Sequence, residues 1–147
     1  GIICLSSIAI FVVGINSQKF DQSILAICLA GSSLGFLKFN INPARILMGD
    51  GGSYFLGFLI SSLLLISATN NENSLQVTQP ILLLFIPLVD MTYVIIHRLS
   101  NGLSPFYPDK NHIHHRIIKY GLEEKDAVYF LWFISSFFIF FYFILFF

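Results

Sequence analysis

Charged residues are scarce in this chain of 147 residues: Lys and Arg together number 8, Asp and Glu also number 8, and the formal net charge is zero. Bulk charge therefore gives no indication of a nucleic-acid partner, because nucleic-acid-binding surfaces are strongly basic. Hydrophobic residues make up 56% of the sequence, including 17 phenylalanines. This composition is too apolar for a soluble domain of the same length and predicts an integral membrane protein.

Cysteine is also rare. Cys4 and Cys28 both lie in apolar stretches, where a thiol is usually a small buried hydrophobic group. The pair therefore predicts neither a disulfide framework nor a metal site. No basic stretch precedes the first apolar run, so the chain does not begin like a signal peptide, and we expect it to be part of a longer protein.

Five apolar segments cover residues 2–15, 24–37, 54–69, 80–96 and 127–147. Crossing a bilayer takes about 17–25 helical residues, so the first two segments are short by this measure. Helices are expected because a helix satisfies its own backbone polar groups in hydrocarbon, and the alternation typical of a barrel is absent. We predict an all-α fold, a polytopic membrane helix bundle of about five transmembrane helices, forming a single integral-membrane domain over residues 1–147.

The basic residues are unevenly distributed among the four connections between these segments. The first connection contains only Lys19, and the third contains none. Because positive charge is retained on the cytoplasmic side, the second and fourth connections are predicted to be cytoplasmic. They contain the other seven basic residues, Lys38, Arg45, Arg98, Lys110, Arg116, Lys119 and Lys125.

The second connection, "KFNINPARILMGDGG", combines amide and guanidinium donors with glycines and a single acid. Asn40, Asn42 and Arg45 supply the donors, and the glycines allow a ligand to approach the backbone closely. Asp50 lies where the next helix should begin. A phosphate drawn to that helix N-terminus would need a divalent cation, naturally Mg²⁺, between it and the carboxylate. The alternative is an ordinary N-cap, with Ser53 holding the first turn.

The fourth connection contains "SPFYPDKNHIHHRIIKYG", with three imidazoles in four positions. Read as a short helix from Asn111, it places His112, Arg116 and Lys119 on one face and apolar side chains on the other. This pattern predicts an amphipathic helix at the membrane interface, with its polar side toward the cytoplasm.

The donors of this connection are suited to hold a diphosphate and to follow its protonation. Two other interpretations stay open. One is a zinc site that uses His112 with His114 or His115, and the other is a solvated basic helix that touches lipid headgroups.

Asp90 lies inside the fourth apolar segment, eight positions before Arg98. An acid at this depth is costly and normally faces the bundle interior or a hydrated cavity. Pro87, one turn earlier, is expected to open the helix and leave carbonyl groups free as partners. Asp90 is therefore either a hydrogen-bond anchor between helices or part of the floor of a site.

Two blocks and the order of the helices between them carry a family resemblance. The blocks are "FNINPARILMGDGGSYFLGF" and "PLVDMTYVIIHRLSNGLSPFYPDKNHIHHRI". In these blocks the sequence resembles the polyprenyl-phosphate N-acetylhexosamine-1-phosphate transferases of glycosyltransferase family 4. That membrane family includes undecaprenyl-phosphate GlcNAc-1-phosphate transferases and is distantly similar to phospho-MurNAc-pentapeptide translocase.

The resemblance implies a Mg²⁺-dependent phospho-glycosyltransferase of the bacterial plasma membrane, with its active loops in the cytoplasm. Such an enzyme transfers HexNAc-1-phosphate from a UDP-sugar to polyprenyl (undecaprenyl) phosphate and releases UMP, which starts the synthesis of a cell-envelope polysaccharide. The implied partners are a UDP-N-acetylhexosamine, the polyprenyl phosphate and the lipid bilayer, with no nucleic acid.

The resemblance also implies a set of site residues, in which one acid holds the metal and the histidines help to hold the two phosphate-bearing substrates. The metal ligand is Asp50. The implied catalytic residues are Asp50, His112, His114 and His115. The implied substrate-binding residues are Asn40, Asn42, Arg45, Gly51, Ser53, Asp109 and Arg116.

Members of the family are longer and have further aspartates that are not found here. We therefore expect the chain to be the C-terminal half of such a transferase and not to turn over by itself. Two rival interpretations are a membrane transporter or channel module with an ionisable, histidine-lined path, and a non-catalytic assembly subunit.

Overall fold

The computed structural model describes residues 1–41, 43–68, 78–107 and 112–146. Within these ranges the chain is predominantly helical and contains no strand, as the sequence predicts. The helices are α1 (Ile2–Asn16), α2 (Phe20–Asn40), α3 (Gly49–Ala68), α4 (Thr78–Leu83), α5 (Phe85–Ser100), α6 (Ile113–Lys119) and α7 (Glu124–Phe146).

Among the described residues, the three helices α2, α3 and α7 are long and apolar enough to cross a membrane, and α1 is a shorter apolar helix. The fourth predicted segment, 80–96, is divided between α4 and α5. This polytopic, all-helical architecture confirms the predicted fold class.

The division of the fourth segment follows from Pro87. Proline has no N–H group, so the carbonyl of Leu83, four residues earlier, lacks its helical partner. The chain breaks between the helices at Leu84, and the carbonyl of Leu83 accepts a 2.7 Å hydrogen bond from the hydroxyl of Ser6 in α1. Ser6 and Leu83 are both buried. The predicted effect of Pro87 is confirmed, and the freed carbonyl becomes an attachment point for α1.

Helices α1 and α5 are each followed, two positions past their last residue, by a residue in the left-handed backbone region. Past α1, the N–H of Lys19 donates to the carbonyl of Gly14 over 2.8 Å, and Gln18 between them has a φ of 57°. Past α5, Gly102 takes the equivalent place with a φ of 71°. Glycine adopts this conformation without steric cost, so the Asn-Gly step fixes where α5 ends and the chain turns toward α6.

The first connection lies beside the end of α3. The ammonium of Lys19, between α1 and α2, donates to the carbonyl of Ile66 near the end of α3 over 3.2 Å. One turn into α2, the amide nitrogen of Gln22 donates to the carbonyl of Leu63 over 3.3 Å. Between these contacts and the opposite end, α1, α2, α3, α4 and α7 share one core of Ala9, Ile10, Val13, Ala26, Leu29, Ile60, Leu63, Leu64, Leu83 and Tyr142.

Candidate functional site

Helix α6 is attached to α5 through Asp90. One carboxylate oxygen, Oδ1, accepts a 2.7 Å hydrogen bond from the backbone N–H of Ile113, and Oδ2 lies 3.0 Å from Nδ1 of His112. Ile113 is the first residue of α6, so Asp90 provides a partner for a backbone donor that the helix itself cannot satisfy. The predicted interpretation of Asp90 as a hydrogen-bond anchor is confirmed. The element that it anchors carries the predicted histidines.

A second contact between these helices joins Arg116 to Tyr93. The guanidinium carbon of Arg116 lies 4.2 Å from the centre of the Tyr93 ring, which is within the range of a cation–π interaction. The short predicted helix is therefore present. His112 and Arg116, which were predicted to share its polar face, contact α5 through Asp90 and Tyr93.

The three imidazoles of the fourth connection lie close together. The ring centres of His114 and His115 are 4.0 Å apart, and those of His112 and His114 are 6.1 Å apart. Burial lowers the pKa of His114 below its ordinary value of 6.5, and the nearby charges of His115 and His112 lower this pKa further. Asp90 and Glu124 act in the opposite direction with a smaller effect. The lowered pKa therefore favours the neutral form of His114, in which one nitrogen donates and one accepts.

A cavity of about 540 Å³ opens between the end of α2, helix α6 and the start of α7. Its wall includes Asn40 and Pro43 from the second connection and His114 and His115 from α6. The second and fourth connections therefore meet at one end of the helices, opposite the contact of Lys19 with α3. The wall formed by α7 includes Glu124, Lys125, Val128, Tyr129 and Trp132.

Hydrogen bonds to the end of α2 shape the second connection. The amide nitrogen of Asn40 donates to the carbonyl of Ile46 over 3.0 Å, and the backbone N–H of Arg45 donates to the carbonyl of Phe39 over 2.8 Å. The amide of Asn40 thus holds the loop at the same time as it lines the cavity. The side chain of Arg45 is exposed and is not part of the cavity wall. Asn42 lies outside the described residues.

Asp50 lies in the first turn of α3, one residue after Gly49, whose φ is 65°. Its carboxylate is exposed and bonds to none of the described residues, so the N-cap alternative finds no support. Gly51 is also exposed, and the hydroxyl of Ser53 donates to the backbone carbonyl of Asp50 over 2.9 Å. Asp50 is not in the wall of the cavity. It belongs to the same end of the helices, because Ile46, four residues earlier, is bonded to Asn40.

The remaining predicted site residues differ in their placement. Arg116 is held on Tyr93 and does not line the cavity, and Asp109 lies outside the described residues.

Over the part of the chain that the structure describes, no three His, Cys, Asp or Glu side chains are grouped closely enough to hold a metal ion. The zinc alternative therefore has no complete set of ligands there.

Several residues of the site were not among the predicted ones. Tyr93 helps to hold α6 together with Asp90, which the sequence had singled out, and Glu124, Tyr129 and Trp132 line the cavity. The signal for Asp90 was its position as an acid inside an apolar segment. No comparable signal marked the aromatic residues, because a stretch as uniformly apolar as the last segment predicts contact with lipid.

Comparison with known proteins identifies the family. The family model of glycosyl transferase family 4 matches residues 1–68. The chain is also 39% identical over 127 residues to a probable undecaprenyl-phosphate N-acetylglucosaminyl 1-phosphate transferase of Bacillus subtilis, an alignment that covers 86% of the chain and 35% of that relative. The chain belongs to glycosyl transferase family 4. The predicted resemblance is thereby confirmed.

Other relatives of this family 4 chain have similar names. It is 30% identical over 141 residues to the undecaprenyl-phosphate alpha-N-acetylglucosaminyl 1-phosphate transferase of Haemophilus influenzae, with 92% of the chain and 40% of the relative covered. It is 31% identical over 145 residues to the decaprenyl-phosphate N-acetylglucosaminephosphotransferase of Mycobacterium leprae, with 87% and 36% covered. The chain thus spans 35% to 40% of the length of these relatives. No solved structure matches it.

These names give no support to the alternative of a transporter or channel. The geometry gives no support to a path through the helices either. Asp90 is bonded to His112 and to the backbone N–H of Ile113, the first residue of α6, which is next to the cavity. The ionisable groups of the site are thus gathered at one end of the helices.

Proposed function

We propose that this family 4 chain forms part of a polyprenyl-phosphate N-acetylhexosamine-1-phosphate transferase and holds the phosphate groups of its two substrates. The observation that carries the proposal is the shared cavity, in which Asn40 and Pro43 of the second connection face His114 and His115 of α6. The names of the relatives contain a polyprenyl phosphate and an N-acetylglucosaminyl 1-phosphate group, which supports the same classes of acceptor and donor here.

In the proposed reaction, an oxygen of the lipid phosphate bonds to the β-phosphorus of a UDP-sugar. The bond from that phosphorus to the oxygen that bridges it to the α-phosphorus breaks, and UMP leaves with this oxygen. The protein contributes mainly by aligning two anions and by neutralising their charge. The ring of His114 and the amide of Asn40 offer hydrogen bonds at the cavity wall. Lys125 of α7 also lines the cavity, with its ammonium 3.1 Å from the carboxylate of Glu123.

Mg²⁺ is the cofactor that we propose, with Asp50 as its ligand from the protein. The donor set fits, because Mg²⁺ takes one or two carboxylates and fills its other positions with water and substrate phosphate. Asp50 supplies one exposed carboxylate at the end of a helix long enough to cross the membrane. When bound, the ion would neutralise charge on the diphosphate oxygens.

We also propose that the end of the helices with the cavity faces the cytoplasm of a bacterial cell. Lys38, Arg45, Arg98, Arg116, Lys119 and Lys125 lie toward this end, whereas Lys19 lies at the other. An excess of Lys and Arg is the usual mark of the cytoplasmic side. Cysteine labelling of exposed positions in intact cells, with Asn101 and Ser17 as the two probes, tests this orientation.

The activity is tested with the full-length protein in membrane vesicles. The assay contains undecaprenyl phosphate, Mg²⁺ and a radiolabelled UDP-sugar, either UDP-GlcNAc or UDP-GalNAc, and it follows lipid-linked radioactivity and UMP. We expect transfer from one of these sugars. Absence of transfer from both would contradict the proposed function.

The assignment of Asp50 is tested in the same vesicles. Asp50→Asn should abolish Mg²⁺-dependent transfer while the protein still inserts in the membrane, because the amide is a far weaker ligand for Mg²⁺. Asp21→Asn is the matched control, since Asp21 is an exposed acid at the opposite end of the helices. Undiminished transfer by Asp50→Asn would exclude Asp50 as the metal ligand.

A further inference from the structure

The carboxylate of Asp90 engages two groups of α6 at once. Its Oδ1 accepts the N–H of Ile113 over 2.7 Å, and its Oδ2 lies 3.0 Å from Nδ1 of His112. Two bonds to different oxygens fix both the position and the plane of the carboxylate. The side chain of Asp90 is 22% exposed and that of His112 is 35% exposed, so the pair is partly shielded from water.

The direction of the hydrogen bond determines the form of the histidine. An ionised carboxylate only accepts hydrogen bonds, so Nδ1 of His112 must carry the proton that lies between them. In the neutral ring, Nε2 is then unprotonated and has a free lone pair. Nε2 has no hydrogen bond to any described residue, and it is therefore the ring atom that remains for a ligand.

We propose that Asp90 is a positioning residue, which fixes the Nδ1–H tautomer of His112 so that Nε2 is presented to a substrate phosphate beside the cavity, whose wall includes the neighbouring His114. The proposal rests on the proposed function, because it assigns a role within the same site. A carboxylate placed in this way orients the imidazole and stabilises the positive charge that forms when Nε2 takes or shares a phosphate proton.

The other ionisable groups near His112 do not provide this bond. The ring centre of His114 in α6 lies 6.1 Å from that of His112. Arg116 is held on the ring of Tyr93 in α5, and Glu124 of α7 acts on His114. Among the described residues, Asp90 is thus the acid that is bonded directly to the ring of His112.

Nitrogen-15 NMR of the full-length protein, labelled at histidine, tests the tautomer without any need for activity. The signals of His112 are identified by their loss in His112→Gln. We expect a protonated Nδ1 in the unmodified protein. In Asp90→Asn we expect a protonated Nε2, because the amide oxygen still accepts the N–H of Ile113 and the NH2 group then faces Nδ1 as a donor. An unchanged protonated Nδ1 in Asp90→Asn would overturn the proposal.

Kinetics of the same variants test whether Asp90 acts through His112. Asp90→Asn should lower kcat by about 10- to 100-fold, the range found for groups that orient metal-binding histidines, with a smaller effect on the KM for the UDP-sugar. In a His112→Gln background, Asp90→Asn should cause no further loss, because its effect is already absent. Independent, multiplicative losses would overturn the proposal and leave Asp90 with a structural role only.

Two controls separate folding from positioning. Asp21→Asn removes an exposed acid at the other end of the helices and should keep both the tautomer and the rate. If Asp90→Asn does not accumulate, Asp90→Glu restores the carboxylate and should keep the protonated Nδ1 with an altered kcat; loss of that signal would contradict the proposal. Lack of transfer by the unmodified protein would refute the proposed function. The NMR signal would still show whether the bond to Asp90 keeps Nδ1 of His112 protonated.

Discussion

The hydroxyl of Ser6 in α1 is bonded to the carbonyl of Leu83, at the break between α4 and α5. Pro87 frees this carbonyl, and the break lies six residues before Asp90 in the chain. The start of α5 is thus attached to α1, while a later turn of the same helix holds α6 through Asp90. Packing deep among the helices therefore helps to place the residues that anchor the candidate site.

Ser6→Ala should destabilise the protein by removing this bond. Hydrogen bonds between membrane helices contribute about 0.6 kcal/mol on average and up to about 1.7 kcal/mol, and the carbonyl of Leu83 would be left without a partner in a buried place. Thermal unfolding in detergent, followed by circular dichroism, measures the loss. Ser62→Ala is the control, because the exposed Ser62 bonds only to Phe58 within its own helix. Equal stability of both variants would contradict the expectation.

Pro87→Ala tests the origin of the break. Alanine restores an N–H group that is able to bond the carbonyl of Leu83 within the helix. Ser6→Ala should therefore destabilise a Pro87→Ala background less than it destabilises the unmodified protein. A constant effect of Ser6→Ala in both backgrounds would show that Pro87 does not control the availability of this carbonyl.

Gly14→Ala should loosen the hairpin of α1 and α2. A Cβ atom at position 14 would collide with the hydroxyl oxygen of Ser23 in α2. Relieving such a collision in a packed interior typically costs about 1–3 kcal/mol, so we expect a lower melting temperature in detergent. Ser23→Ala removes the hydroxyl and should restore part of the stability of Gly14→Ala. Gly31→Ala is the control, because a Cβ there meets open space.

Tyr93→Leu should weaken the attachment of α6 while leaving Asp90 in place. Cation–π contacts contribute about 0.5–2 kcal/mol, and leucine keeps apolar bulk without an aromatic face for Arg116. Hydrogen exchange of the α6 amides, measured by mass spectrometry, should become faster. Tyr93→Phe keeps the ring and should exchange like the unmodified protein. If both variants exchange equally fast, the hydroxyl and not the ring holds Arg116.

The pattern of charge along the chain predicted which connections meet. Loops rich in Lys and Arg alternate with loops poor in them, which placed the second and fourth connections on the same side of the membrane. In the structure, Asn40 and His114 of these two connections line one cavity. The pattern did not predict what covers each face of α6. Amphipathic spacing shows which side chains share a face, but His112 and Arg116 turned toward α5 because Asp90 and Tyr93 provide specific partners.

Two further features lay beyond the sequence patterns. Asp50 is exposed outside the cavity wall, and the loop that leads to it is fixed by the bond between Asn40 and Ile46. Tyr129 and Trp132 line the cavity at the start of α7, although their segment has the composition of a lipid-facing helix. Composition does not reveal which turn of a helix meets a neighbour.

The lowered pKa of His114 makes stability depend on pH. Burial is the main cause, followed by the neighbouring charges of His115 and His112. Because the folded pKa lies below the unfolded value of 6.5, the folded protein binds fewer protons than the unfolded chain between the two values. The contribution of His114 is therefore fully present above pH 6.5 and is lost as the pH falls through the lowered folded pKa.

His114→Gln removes this dependence. Its melting temperature in detergent should therefore fall less between pH 7.5 and pH 5 than that of the unmodified protein, and thermal scans at about 0.5-unit pH intervals measure the difference. His97→Gln is the matched control, since His97 is near the end of α5 and outside the cavity wall, and it should keep the full decrease. A steeper loss of stability at low pH in His114→Gln would mean that protonation of His114 stabilises the fold, which would contradict the effect of its burial beside two other imidazoles.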